Sequence, residues 1–291
     1  MPRIVISASR RTDIPAFYMS WFMDCIDRGL FEVTNPYNRR KSTIPATPDN
    51  VHSIVFWSKN FGPFLGRNDG ATLTRKGYCL FFNFTINSPN KKLEPMMPSL
   101  EERLLQLAQL VKAFGPECIQ WRFDPICFFK TPAGAEGTNL DSFQTIARRA
   151  ADLGIRTCVT SFVDLYRKVV LRLKRCAGLK LFDPPMPRKV ETITSLANQI
   201  TPMGMVLKLC CEKQVLNAIP TDVPVTASSC IPSDQLKALY GPDLSLSRDH
   251  GQRTKSGCRC GLSKDIGCYT HHPCSHNCLF CYANPAMDMQ T

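Results

Sequence analysis

Residues 257–285 read GCRCGLSKDIGCYTHHPCSHNCLFCYANP and contain six of the fifteen cysteines of this 291-residue chain. Cys274, Cys278 and Cys281 have the spacing C-x3-C-x2-C, and Phe280 and Tyr282 flank the last of them. Three soft thiolates this close in sequence can hold a metal centre that keeps one coordination position for another ligand. A zinc knuckle is the alternative that the same residues allow.

The triplet resembles the cluster motif of radical S-adenosylmethionine enzymes, including the aromatic Phe280 before the third cysteine. The resemblance implies a [4Fe–4S] cluster on Cys274, Cys278 and Cys281, whose open iron chelates S-adenosylmethionine, and it places Phe280 near the adenine. It also implies an electron donor such as ferredoxin or flavodoxin. In that superfamily the motif usually follows the first strand of the barrel. Here it follows most of the chain, so we expect the tail to fold back over the barrel mouth.

Further segments extend the resemblance over nearly the whole length. These segments are SASRRTDIP, FWSKN, WRFDPI, SFVDLY and SKDIG. Together with the cysteines they resemble the bacterial and archaeal family called domain of unknown function 1848. That family is described as radical-SAM-like because of its C-terminal cysteines, and the resemblance implies no particular substrate.

A second group of cysteines precedes the triplet. Its members are Cys210, Cys211, Cys230, Cys258 and Cys260. Four thiolates from these five could hold a second, fully ligated cluster or a zinc ion; the alternative is free and buried thiols. Cys268 fits neither spacing. The remaining cysteines, scattered singly in apolar patterns, are expected in the core, where cysteine acts as a small hydrophobe. They are Cys25, Cys79, Cys118, Cys127, Cys158 and Cys176.

Apolar runs alternate with helical stripes along the first 210 residues. Strands are predicted at 4–8, 30–34, 51–57, 78–86, 118–123, 155–163 and 205–209, with an eighth at 223–226. Alternating strands and helices predict a parallel sheet. The fold class is therefore α/β, a TIM-like (β/α) barrel, closed or partly open. We divide the chain into a barrel, residues 1–212, and a cysteine-rich iron–sulfur segment, residues 213–291.

Polar residues follow the predicted strands, where barrel enzymes carry their active sites. The catalytic candidates are Arg10, Arg11, Asp13, Lys59, Arg122 and Asp124. Asn83, Ser161, Phe280 and Tyr282 are the candidates for cofactor binding. Arginine binds carboxylates and phosphates in a bidentate manner, so an anionic small-molecule substrate is expected. Structural ion pairing with the aspartates is the alternative, and Asp13 is also expected to cap a helix.

Net charge and hydropathy bear on the binding partners and the location of the protein. The formal charge is +12, and residues 167–175, RKVVLRLKR, form the densest basic run. A basic surface can bind nucleic acid, so the rival hypothesis is an electron-transfer or non-catalytic iron–sulfur protein with a nucleic-acid partner. No apolar run reaches the ~18 residues that a membrane span needs. With no signal-peptide pattern at the start, we expect a cytoplasmic protein without a membrane partner.

Overall fold

The computed structural model describes residues 2–35, 38–175 and 178–283. The strands in chain order are β1 (Ile4–Ala8), β2 (Leu30–Thr34), β3 (Lys41–Pro45), β4 (Val51–Ser58), β5 (Leu80–Thr85), β6 (Ile119–Ile126), β7 (Phe128–Lys130), β8 (Glu136–Thr138), β9 (Thr157–Phe162), β10 (Lys180–Phe182), β11 (Val206–Leu209), β12 (Val225–Ala227) and β13 (Lys264–Asp265). The α-helices are α1 (Ile14–Phe17), α2 (Met19–Arg28), α3 (Gly62–Gly66), α4 (Asp69–Arg75), α5 (Leu100–Phe114), α6 (Phe143–Asp152), α7 (Arg167–Arg175), α8 (Met186–Ile200), α9 (Lys213–Ala218) and α10 (Ser233–Tyr240). Short 3₁₀ turns lie at Pro116–Cys118, Thr201–Met203 and Thr254–Ser256.

Eight strands form one parallel sheet in the order β12-β11-β9-β6-β5-β4-β1-β13. From β1 to β12, strands that follow one another in this sheet along the chain are also neighbours in space. The helices between them supply the crossovers that parallel pairing requires. The prediction of a mixed α/β fold with a large parallel sheet is therefore confirmed.

The barrel was predicted to be closed or partly open, and of these two forms the closed one is wrong. β12 and β13 are the two edges of the sheet and do not pair with each other in the described residues. The predicted strand at 30–34 also lies elsewhere: β2 pairs antiparallel with β3 as a separate hairpin. Its Phe31 packs on Trp21 and Phe22 of α2, with ring centroids 5.6 and 5.3 Å apart. The helix thus buries the apolar side chain that suggested a strand of the main sheet. With β2 outside the main sheet, β13 is the strand that brings its number to eight.

Phenylalanines of the central strands form much of the core. Phe56 and Phe82 stack at 5.9 Å between centroids, and Phe61 and Phe64 meet Phe82 edge-on. These four rings are fully buried. Truncating one such ring to alanine costs about 3–5 kcal/mol through lost burial and the cavity left behind.

The predicted cap at Asp13 and the predicted core cysteines are mostly as expected. Asp13 caps α1 through its bond from Ala16 N–H, and Ser99 and Glu102 form a capping box at the start of α5. Tyr18 separates α1 from α2. Cys25, Cys118, Cys127 and Cys158 are buried, and Cys79 is half-buried. Cys176 lies outside the described residues.

The tail contacts the rest of the fold at the sheet and at the segment between β5 and α5. Strand β13 pairs with β1, where Ile6 faces Lys264 and Ser7 faces Asp265. Further along, Leu279 N–H donates to the Leu93 carbonyl at 2.8 Å. Leu279 and Phe280 are buried in a small second apolar cluster that also contains Leu93. Among the residues that the structure describes, no helix is long and apolar enough to cross a membrane.

Candidate metal and cofactor site

Asp13, Lys59 and His276 connect the tail to the carboxyl end of the sheet. Asp13 Oδ2 accepts hydrogen bonds from the Lys59 backbone N–H and from His276 Nε2, both at 2.8 Å. Lys59 Nζ lies 2.6 Å from Glu94 Oε1, and both side chains are largely buried. Because Asp13 and Lys59 follow β1 and β4, the cysteine loop is held where the strands end.

Backbone N–H groups act on two of the three sulfurs of the triplet loop, residues 274–281. Those of His276 and Asp13 partly lower the pKa of Cys274, and that of Ala283 partly lowers the pKa of Cys281. Asn277 has φ +54°, in the left-handed region that permits a tight turn. Hydrogen bonds to sulfur stabilise thiolates and tune the potential of a bound iron–sulfur cluster.

Burial makes the metal-free thiols of the triplet weak acids. It raises the pKa of Cys274 to about 12, with the charge of Asp13 adding to the effect. It also raises the pKa of Cys278 well above its ordinary value and the pKa of Cys281, while nearby cations lower both in part. A charge on one of the three sulfurs would also raise the pKa of the others. Binding a metal centre would therefore release protons from this loop.

Cations surround the loop on the side facing α7. Arg172 Nη1 donates to the carbonyls of Cys278, Leu279 and Cys281 at 3.3, 2.9 and 3.0 Å. Lys59 Nζ lies 5.3 Å from the centroid of the Phe280 ring. Two members of the basic run on α7, Lys168 and Arg172, thus face the tail: Lys168 Nζ is 5.3 Å from the Tyr269 ring centroid.

The catalytic candidates Arg10 and Arg11 are occupied by Asp265 of β13. Arg10 N–H donates to Asp265 Oδ2 at 2.8 Å, and the two guanidinium groups lie 4.0 and 3.9 Å from that carboxylate. Arg11 Nη1 also donates to the Gly267 carbonyl at 2.9 Å. The hydroxyl of Tyr282, a predicted cofactor contact, donates to the Arg10 carbonyl at 2.5 Å.

Arg122 and Asp124 pair with each other at the end of β6. Ser161 Oγ donates to Asp124 Oδ1 at 2.5 Å, and Asn83 Nδ2 donates to the Cys230 carbonyl at 3.0 Å. With Lys59 on Glu94, all four cationic candidates therefore have a carboxylate partner. The alternative to an anion-binding set was ion pairing with Asp13, Asp124 and Asp164; of these pairs the structure contains Arg122 with Asp124, and the other three cations pair with Asp265 or Glu94 instead.

The second group of cysteines comes together as a set of neighbouring thiols, here called the five-thiol ring (Cys210, Cys211, Cys230, Cys258 and Cys260). Cys210 Sγ lies 3.8 Å from Cys211 Sγ and 3.5 Å from Cys230 Sγ, and Cys230 N–H donates to Cys260 Sγ at 3.3 Å. The side chains of Cys258 and Cys260 shift each other's pKa, and those of Cys211 and Cys258 do the same. Cys211 has φ +60°, a left-handed turn at the junction of two adjacent ring members.

Two arginines lie against the five-thiol ring. Arg122 Nη1 is 2.6 Å from Cys230 Sγ, and the positive charge of Arg10 lowers the pKa of Cys260. Hydrogen bonds from Cys230 and Cys258, followed by the charge of Arg10, lower the pKa of Cys260, whereas the ring contacts and burial raise that of Cys230. Both guanidinium groups lie over Trp57, at 5.3 Å for Arg10 and 5.2 Å for Arg122.

A chain of contacts links the two sulfur groups. Cys278 Sγ lies 4.0 Å from Glu94 Oε1, which Asn87 Nδ2 approaches at 3.4 Å. Asn87 Oδ1 accepts the Asp124 N–H at 2.9 Å, and Asp124 pairs with Arg122, which touches Cys230.

In the described residues, no three His, Cys, Asp or Glu side chains already stand as the ligands of one metal ion.

Several of these residues were missed in the sequence. Glu94 lies in an irregular segment between β5 and α5, where no periodicity marks a buried carboxylate. Asp265 sits within SKDIG, a segment that contributed to the family resemblance but that no strand pattern marked. Trp57 reads as an apolar strand residue. His276 lies inside the triplet motif, where its spacing does not tell a metal ligand from a hydrogen-bonding residue, and it bonds to Asp13.

Residues 5–283 match the family described as Domain of unknown function (DUF1848). The match spans nearly the whole chain, so this chain belongs to that family. No curated protein matches it.

Solved structures similar to this chain include two D-hydantoinases, one of them from Bacillus sp. AR9. The first is 11% identical with a TM-score of 0.32, and the match covers 65% of this chain. The second is 12% identical with a TM-score of 0.31 and covers 64% of this chain. The match spans 41% of each hydantoinase, and similarity at this level carries no argument about function.

Proposed function

We propose that this chain is an iron–sulfur enzyme of the radical S-adenosylmethionine type, acting on a small molecule at the carboxyl end of the sheet. The observation that carries the proposal is the triplet loop: three cysteines within eight residues, held at the carboxyl end of the sheet by the bond from His276 to Asp13 and the contact of Cys278 with Glu94. Three thiolates are one fewer than a fully ligated [4Fe–4S] cluster needs.

Cys274, Cys278 and Cys281 would hold the cluster. When bound and reduced, such a cluster supplies the electron that cleaves S-adenosylmethionine. The protein's own contribution is orientation and exclusion of water. Leu279 and Phe280 of the triplet loop are buried, and Arg172 donates hydrogen bonds to three carbonyls of the loop. Lys59 is a buried cation near Cys278, where it would offset negative charge on the thiolates.

His276 poses the main alternative for the fourth position. Its Nε2 bonds to Asp13, and its buried Nδ1 has no hydrogen-bond partner among residues 2–35, 38–175 and 178–283. Metal-bound histidines commonly donate their other N–H to a carboxylate, as His276 does here. If Nδ1 bound the fourth iron, the cluster would be closed and would serve electron transfer or structure.

Electron paramagnetic resonance of the reduced, anaerobically purified protein tests the proposal. We expect about four irons and an equal amount of acid-labile sulfide, with absorption around ~400 nm, and a changed resonance when S-adenosylmethionine is added. Cys278→Ala should lose the signal, while Cys158→Ala, a buried cysteine in β9, should keep it. An unchanged spectrum at saturating S-adenosylmethionine would overturn the enzyme reading. If His276→Gln then restored the change, His276 would be the closing ligand.

Nucleic-acid binding is the weaker hypothesis. The densest basic run forms α7, and Lys168 and Arg172 of that helix contact the tail. These two cations therefore support the triplet loop, and we do not assign the helix to a nucleic-acid partner.

A further inference from the structure

The open edges of the main sheet lie where the five-thiol ring forms. Cys210 and Cys211 follow β11, Cys230 follows β12, and Cys258 and Cys260 precede β13. The Gly261 N–H donates to the Ile231 carbonyl at 3.0 Å, and Cys230 N–H approaches Cys260 Sγ at 3.3 Å. The ring therefore joins the segments that leave one edge strand and enter the other.

We propose that the five-thiol ring is a binding site for one soft divalent cation of the zinc type, held by four thiolates including Cys230 and Cys260, and that this ion fastens the two edges of the sheet. The site is separate from the triplet loop and does not depend on the function proposed for it. No reaction is assigned to it.

The sulfur spacing favours a single ion over a second cluster. A Zn–S bond of ~2.3 Å in a tetrahedron places neighbouring sulfurs about 3.8 Å apart. The two Sγ–Sγ distances in the ring are 3.5 and 3.8 Å. Thiolates on different irons of a [4Fe–4S] cluster are further apart, because an iron–iron edge and two outward Fe–S bonds separate them.

The ring as it stands does not yet place its thiols as the ligands of one ion. One thiol must leave and the others converge to bind an ion, which agrees with the lack of three preformed ligands in the described residues. Cys230 and Cys260 are the least exposed of the five, at 3% and 4%, so we assign them as ligands.

Charge and access also suit a metal thiolate site. A divalent ion with four thiolates carries two negative charges, and the guanidinium groups of Arg10 and Arg122 act on the ring. A cavity of about 220 Å³ lies beside it, lined by Cys258 and by Lys213 and Arg248. Through this cavity an ion could reach the ring at Cys258.

Cobalt titration tests the proposal by a readout that needs no activity. The chain with Cys274, Cys278 and Cys281 changed to alanine removes the other thiol group. Stripped of metal and kept reduced, it should bind one Co²⁺ with the intense d–d bands of a tetrahedral site and a thiolate-to-cobalt charge-transfer band, and Zn²⁺ should displace it. Adding Cys230→Ser or Cys260→Ser should weaken binding by at least about tenfold, the smallest loss seen for outer-shell changes. Cys79→Ser, a half-buried thiol outside both groups, should leave binding unchanged.

Unchanged cobalt affinity in both ring variants would overturn the proposal, as would iron with acid-labile sulfide in the ring. If the triple variant does not fold, zinc and iron are counted in the full chain instead. Cys230→Ser and Cys260→Ser should then lose one zinc and keep the iron of the triplet. Loss of iron without loss of zinc in these variants would contradict the assignment, whereas a wild-type chain with zinc but no iron would contradict only the function proposed for the triplet.

Discussion

The triplet loop takes its three sulfurs from eight consecutive residues, whereas the five-thiol ring takes its sulfurs from three separate segments of the chain. In the ring, sulfur meets sulfur at 3.5 and 3.8 Å, and arginines lie behind it. In the triplet loop, the neighbours are backbone N–H groups, a lysine, a glutamate and a histidine–aspartate pair. Local spacing can thus specify a site alone, but the ring exists only when the sheet has formed.

This difference predicts different consequences of losing each site. Breaking contacts around the triplet loop should affect the cofactor and the tail. Breaking the ring should affect the sheet that both sites share, because the ring joins its two edges.

The largest expected effect is the loss of the buried Lys59–Glu94 pair. Lys59→Met leaves Glu94, whose side chain is 4% exposed, without its counter-ion. Removing one partner of a buried pair costs about 3–5 kcal/mol of unfolding free energy, measurable by urea titration. Iron content of the triplet should fall as well, while zinc in the ring should be retained.

A double variant and a control variant test whether the loss comes from the unpaired Glu94 charge. The double variant Lys59→Met/Glu94→Leu removes both charges and should recover much of the loss. The exposed pair of Lys76 and Asp27 is the matched control, since Lys76→Met should cost no more than about 1 kcal/mol. Equal losses in Lys59→Met and Lys76→Met would show that the Lys59 pair does not hold the triplet loop in place.

The strands could be predicted because their apolar runs are long and buried on both faces, as in β4 and β5. The partners of a run were harder to predict. Residues 30–34 have a strand pattern, yet they pair in a hairpin over α2, and β13 has only two residues, too few for any pattern. Whether the sheet closes depends on pairing between distant segments, and such pairing could not be predicted for residues 30–34 or for β13.

The cysteines of both groups could be identified from spacing and clustering, but their surroundings could not. Arg122 reads as a strand-end residue, and nothing in its neighbourhood indicates that it touches Cys230, 108 residues away. Glu94 becomes important only because Lys59 and Asn87 converge on it from other segments. Such long-range contacts are fixed by the fold, so sequence periodicity does not contain them.

Metal removal should have the next largest effect. If zinc stands at about 100 times its dissociation constant, its loss lowers the unfolding free energy by about 2.7 kcal/mol. We expect a chelator to lower the thermal midpoint of the wild-type chain and to have no such effect in Cys260→Ser. A chelator effect of equal size in both proteins would mean that the stabilising ion is bound elsewhere.

A smaller effect is expected at the anchor before the triplet. The Tyr18 hydroxyl donates to the Pro273 carbonyl at 2.6 Å, adjacent to Cys274. Tyr18→Phe removes that hydrogen bond and should cost about 1 kcal/mol. Iron should be lost faster from the triplet loop to a competing chelator, whereas zinc release from the ring should not change. Tyr166→Phe, at a hydroxyl with a longer 3.3 Å contact to Asp164, serves as the control.

The smallest expected effect is the pH dependence of stability at His52, a residue that lies away from both sulfur sites. His52 on β4 is buried; its Nε2–H donates to the Gly241 carbonyl at 3.0 Å, and its Nδ1 accepts from Ser53 Oγ at 3.2 Å. Burial lowers the pKa of His52 below its ordinary value of 6.5, against the smaller opposing effect of the Gly241 bond. A lowered histidine pKa means that the unfolded chain takes up the proton first. Stability is therefore full above pH 6.5 and decreases as the pH falls below it.

Urea unfolding at a series of pH values between 5 and 8, roughly the range in which histidine titrates, measures this dependence. His52→Gln keeps an N–H donor for Gly241 and should flatten the decrease below pH 6.5, the ordinary value of this group. The exposed His250, changed to glutamine, should leave the decrease in place. Metal content at neutral pH should be the same in both variants, since neither histidine contacts a sulfur in the described structure. An unaltered pH dependence in His52→Gln would show that another group destabilises the fold in acid, and a changed metal content would show that the amino end of β4 is coupled to the sulfur sites at its other end.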